Sequence, residues 1–260
     1  MNKITYEEWL NIVKDDGSML EHVPEIFKER DMCFAAVQQY GYTLKFVPLT
    51  LMTPLLCSIA LRRDGTALQY IPEDLRSDKL CKIAVDETGR ALEFVPKEKK
   101  SVTICRKAVS KYPLALQYVP EELKEPKICE EAVKRLGICI RYVPKHLVQD
   151  LCSLAVKTTA AAIKYIPSKY ITEEICIDAV RRNGTLLKYV PSKYKTKYVC
   201  LVAIKQNRAC INDIPAKFKT YDMLYAGRTS SNNNQLSLNK PKSKSLFRYV
   251  SRFKKDLEIA

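Results

Sequence analysis

Eight cysteines recur at intervals of 23 or 24 residues, and each is followed fifteen residues later by a proline: Cys33, Cys57, Cys81, Cys105, Cys129, Cys152, Cys176 and Cys200, then Pro48, Pro72, Pro96, Pro120, Pro144, Pro167, Pro191 and Pro215. Such a chain is a tandem array. A unit of this size cannot bury its own apolar face, so copies must stack to make a core. The prior that 260 residues form one large or two ordinary globular domains gives way to a single elongated one.

Within each copy the residue before the cysteine is apolar. An alanine and a branched residue follow the cysteine by three and four positions, as in Ala60-Leu61, Ala84-Val85 and Ala108-Val109. Apolar positions at this spacing form one stripe of an α-helix. Glycine then recurs at Gly17, Gly41, Gly65, Gly89, Gly137 and Gly184, where a helix C-terminus favours a residue tolerant of positive φ. A second, short helix follows in the pattern L-x-[YF]-[VI]-P, for example Leu68 to Pro72, and proline ends it. That proline is expected at the first position of a further turn. The apolar residue three places on (Phe27, Leu51, Leu75, Leu123, Leu147, Tyr170, Tyr194, Phe218) is expected to face the core, with Lys99 breaking the slot.

A degenerate first copy carries Trp9 in the cysteine slot and His22 in the aromatic slot, and the last copy carries Arg208 for glycine and Asp213 for the aromatic. Both suit the ends of a stack. One residue is missing between Pro144 and Cys152, in a turn, so helix register within each copy survives. The fold class is therefore all-α, an α-solenoid of about nine short helix-pair repeats over residues 1–222. A polar, disordered linker is expected over 223–245 and a basic amphipathic helix over 246–260. That helix either caps the array or binds a membrane or a partner.

The pattern C-x-x-A-V…G-x-x-L-x-[YF]-V-P-x-x-L resembles a tandem-repeat family of unknown function found in bacteria and some large DNA viruses, and the resemblance covers residues 9–218. It implies an all-helical array and brings no catalytic residues. Some bacterial members resemble proteins delivered into host cells, which points to an effector. The unit is also similar in size to leucine-rich-variant repeats, where α and 3₁₀ helices alternate.

Ten cysteines raise the question of disulfides or metal. Eight share one slot, while Cys139 and Cys210 share a second slot with Ala67, Ala91, Ala115 and Ala162, so all have a packing role as small apolar residues. A metal or redox role is the alternative; no C-x-x-C pair occurs and His22 and His146 are solitary. The start of the chain has no apolar signal-like run, and a soluble protein of a cytosol, the host cytosol for a delivered effector, is expected.

Charge is uneven. Residues 1–150 carry 23 Lys and Arg against 22 Asp and Glu, and residues 151–260 carry 21 against 7. The basic end suits an anionic partner, nucleic acid or anionic membrane, with Arg181, Arg182, Lys188, Lys195, Arg248 and Arg252 as candidate contacts. Against this, Tyr165 and Tyr189 occupy the recurring aromatic slot and are expected to pack between helices. No phosphate loop, catalytic cluster or cofactor motif appears, and no small-molecule substrate is inferred. The reading is a non-catalytic scaffold whose partner is another protein. Its solvent-facing slot (Glu21, Lys45, Gln69, Glu93, Gln117, Arg141, Lys164, Lys188, Asn212) drifts from mixed to basic.

Overall fold

A computed structural model describes residues 4–220 and Met223. The linker and the C-terminal amphipathic helix expected from the sequence, with Arg248 and Arg252, lie outside the described residues, Met223 excepted.

Among the described residues the Cys-Ala stripe folds as nine α-helices: α1 (Tyr6–Asp15), α2 (Arg30–Gln39), α3 (Pro54–Arg63), α4 (Asp78–Glu87), α5 (Val102–Lys111), α6 (Pro126–Arg135), α7 (Val148–Thr158), α8 (Glu173–Arg182) and α9 (Lys197–Gln206). Their starts are written locally. Thr53, Ser77, Ser101, Thr172 and Thr196 each accept a hydrogen bond from the backbone N–H three residues on, and Pro54 and Pro126 open their helices where no donor is needed.

The second helix of each repeat is 3₁₀ rather than α. It is six residues long, from Gly65 to Tyr70 in the third repeat and from Gly184 to Tyr189 in the eighth. Only six residues separate the extended residue that ends the α-helix from the Val-Pro or Ile-Pro pair, too few for a stable α-helix. The residue before proline closes the segment by donating to the leucine carbonyl, Val47 N to Leu44 O at 3.2 Å. The proline itself is extended (Pro72 φ −51°, ψ 143°). It stands before the first residue of a three-residue 3₁₀ helix, not inside it as expected. The apolar slot that follows is only partly buried: Leu51, Leu123 and Tyr194 pack against the core, but Leu75 is 42% exposed. Three residues in a 3₁₀ turn are too few to turn the whole side chain inward.

The repeats build two layers. Each α-helix packs on its neighbours, each long 3₁₀ helix on its neighbours, and each α-helix also covers the long 3₁₀ helix of the preceding repeat. The stripe is the core: Leu56, Cys57, Ala60 and Leu61 are at most 1% exposed. Close approach explains the glycines, and positive φ does not. Each glycine is reached from a C-cap residue in extended conformation, such as Tyr40 at φ −133°, and none has left-handed φ. A Cβ at Gly17 would lie 2.9 Å from the carbonyl oxygen of Ala36 in the next α-helix, and one at Gly65, Gly89 or Gly137 would press still closer on Ala84, Ala108 or Ala155.

The missing residue after Pro144 has a local cost only. Repeat six has no short 3₁₀ helix; residues 145–147 form a turn that runs straight into α7, which is 11 residues long against 10 for the other eight. At the ends, Trp9 packs partly buried and His22 is exposed. Met223 is helical and 2% exposed, 24 residues after Val199, so it covers the last repeat in the array's own register.

Candidate interaction edge

Much of the polar chemistry is spent inside the stack. The residue after the short 3₁₀ helix is apolar and buried in two repeats (Met52, Ile171) and a cation turned inward in five (Lys28, Arg76, Lys100, Lys124, Lys195), while Lys219 after the last one is exposed. Arg76 donates through Nε to Ile71 O and through Nη1 to Phe94 O, both at 2.7 Å. Lys100 Nζ donates to Tyr118 O at 2.9 Å, and burial lowers its pKa. Lys28 and Lys124, only 7% and 11% exposed, pair with Glu25 and Glu121. Lys195, one of the predicted contacts, belongs to this set: its Nζ donates to Asp213 O at 3.2 Å. The helix ends are tied similarly. Gln39 donates to the Val13 and Lys14 carbonyls and accepts from Gly17 N, and Gln206 repeats the device on Arg182 O and Gly184 N. Arg182, another predicted contact, donates to Lys157 O and so satisfies the end of α7.

Every member of the variable row from Glu21 to Asn212 is exposed. The cations in it lie over the aromatic slot. Lys45 sits 4.3 Å from the ring centre of Phe46, and Arg141 lies over both Tyr142 (5.0 Å) and Tyr165 (4.9 Å). Lys164 and Lys188 flank Tyr189 at 5.2 and 5.1 Å. Tyr165 and Tyr189 are therefore not packed away between helices as expected; they are 38% and 36% exposed and hold cations. A parallel row on the short 3₁₀ helices places Lys169, Lys193 and Lys217 over Tyr170, Tyr194 and Phe218.

This edge is polarised. In the first five repeats the 3₁₀ segments carry Glu21, Glu25, Glu73, Asp74, Glu93, Glu98, Glu121 and Glu122 against Lys45, Arg90, Lys97 and Lys99. In repeats six to eight, residues 137–147, 160–170 and 184–194, they carry Arg141, Lys145, Lys164, Lys169, Lys188 and Lys193 and no acid at all. Among the described residues, the ion pairs all lie between Glu25 and Lys134, so the basic segments take rings rather than carboxylates as partners. Of the predicted array contacts, Lys188 joins this edge, and Arg181 is exposed in the last turn of α8. Arg141 and Lys164 are the members the sequence reading passed over as contacts. Their signal was their adjacency to the aromatic slot.

All ten cysteines are buried and free. Burial pushes the thiol pKa up to about 11 for Cys105 and Cys129 and to about 12 for Cys139 and Cys176. Among the described residues no cluster of His, Cys, Asp and Glu could hold a metal, and no helix is long and apolar enough to cross a membrane. An open groove of about 600 Å³ lies between α4 and α5, lined by Lys82, Asp86, Ser101, Thr103 and Lys107, with Lys107 and Asp86 paired at 3.0 Å.

No curated protein and no solved structure matches the chain. A family model described as "Domain of unknown function (DUF4116)" matches four times, over residues 7–52, 55–98, 79–124 and 101–148. Each placement spans about two repeats, and successive overlapping placements advance by about one, as expected of a stack whose units are interchangeable. The matches cover more than half of the chain and stop where the short 3₁₀ helix of repeat six is lost, while the same geometry continues through α9. The chain belongs to the family described as Domain of unknown function (DUF4116).

Proposed function

We propose that the array is a non-catalytic scaffold for protein–protein interaction, working in a cytosol. The resemblance to delivered proteins extends this to an effector in a host cytosol. One observation carries the reading: the repeated slots are spent on stacking, and the row that varies from copy to copy is exposed along the whole array. Repeat arrays encode partners in such rows.

The test is capture from nuclease-treated extract with the full-length protein and with a variant altered only in the row, Lys45→Glu, Gln69→Lys and Gln117→Lys. A discrete protein held by the first and lost by the second is the expected result. Recovery that depends on intact nucleic acid would sink it and favour the second reading, electrostatic docking of the basic half to nucleic acid or anionic membrane. The absence of acids from the 3₁₀ segments of repeats six to eight favours that second reading.

A further inference from the structure

Three consecutive repeats present one cation each at the same position, and the chain's own rings hold all three. Arg141 bridges Tyr142 and Tyr165, Lys164 lies over the ring of the next repeat at Tyr189, and Lys188 lies over that same ring. Rings fix where the cations stand without neutralising them, which a carboxylate partner would do. No ion pair among the described residues involves any of the three. Repetition sets their pitch at the spacing of packed helices, about 8 to 10 Å.

We infer that this row is a docking strip for an extended acidic peptide segment bearing a carboxylate at every third residue. The inference rests on the protein-binding reading above and names the chemistry of one partner. A polyproline II strand rises about 3.1 Å per residue with three residues per turn, so every third side chain returns to one face after about 9 Å. That is the pitch of the row. Such a strand brings little conformational entropy to lose and leaves its backbone solvated, which suits an edge without a deep groove. Single-stranded nucleic acid fits less well. Sequence-tolerant binding of bases needs free aromatic faces, and Tyr165 and Tyr189 are engaged by the protein's own cations.

The test uses full-length protein and three fluorescent probes in anisotropy titrations at low and physiological salt: a peptide of Glu-Pro-Ser triplets, an isomer of equal composition with its glutamates at one end, and an oligothymidylate. The triplet peptide is expected to bind about tenfold tighter than its isomer, and Arg141→Gln/Lys164→Gln/Lys188→Gln to lose about tenfold, the scale of three exposed ion pairs. The control Arg62→Gln/Arg63→Gln/Lys79→Gln, with the same charge removed from exposed positions elsewhere, is expected to bind as the parent does. Circular dichroism checks that both variants fold. Equal binding of the two peptides, equal loss in the control, or preference for the oligothymidylate overturns the proposal. So does salt-sensitive self-association without peptide binding. None of these results touches the captured-protein test, which reads the row in the first five repeats.

Discussion

Six glycines sit where the carbonyl of an alanine in the next helix arrives, and this contact sets how closely one repeat can follow another. Gly65→Ala is expected to cost about 1–3 kcal/mol, the usual range for overpacking, because backbone rather than a flexible side chain must yield; urea unfolding measures it. Repeats five and seven carry Pro113 and Ala160 in the slot, so the loss should stay short of unfolding. The position of these glycines was legible in the sequence and their reason was not. A helix-ending glycine and a contact glycine look alike until the neighbouring repeat is in place. The cysteines were read correctly as small packing residues for the opposite reason: eight recur on the apolar stripe of a helix and Cys139 and Cys210 stand in a slot that other copies fill with alanine, a pattern that needs no neighbour to see. Their thiols make stability depend on pH. An unfolded thiol loses its proton near pH 8.5, whereas Cys105 and Cys176 hold theirs to about 11 and about 12. The folded pKa is raised, so this stabilisation is whole below about pH 8.5 and is lost as pH climbs toward the folded values. The urea midpoint should therefore fall between about pH 8.5 and 10.5, and less steeply in Cys105→Ala/Cys176→Ala.

At the scale of the element, the α-helices were visible from their apolar stripes, while the capping residues that start them came to light only in the structure. Ser101→Ala and Thr172→Ala should each cost about 1 kcal/mol, since each removes an acceptor for a backbone N–H. Glu29 holds the same position before α2 with no capping hydrogen bond, and Glu29→Ser should stabilise the protein by about 0.5–1 kcal/mol; thermal or urea melts decide both. The 3₁₀ character of the second helix was hidden because its periodicity is brief and its apolar residues, leucine and an aromatic, suit either helix type. Length settles it, with one extended residue before and the Val-Pro stop after. The exposed tyrosines were misjudged for a related reason. An aromatic recurring in register reads as core, but at the last residue of a 3₁₀ helix it reaches the edge of the stack, where a neighbouring lysine can cover it.

For the whole molecule, stability is a sum over repeats and the contacts between them. Excising residues 78–101, one full period, joins Ser77 to Val102 with both layers in phase, so the shortened chain should fold with a helical spectrum and lower stability. Excising half a period sets an α-helix against a 3₁₀ helix and should leave an aggregating chain, which size-exclusion chromatography would show. Charge adds a direction that stacking alone lacks, since the 3₁₀ edge turns from mixed to basic near Gly137. The cysteine column gives the array something else, a depth gauge written into every storey from the second repeat to the ninth. Because no thiol can be alkylated until its own storey opens, a timed pulse of alkylating agent followed by peptide mass spectrometry would read the opening free energy of each repeat in turn, from the frayed ends inward, on the unaltered protein.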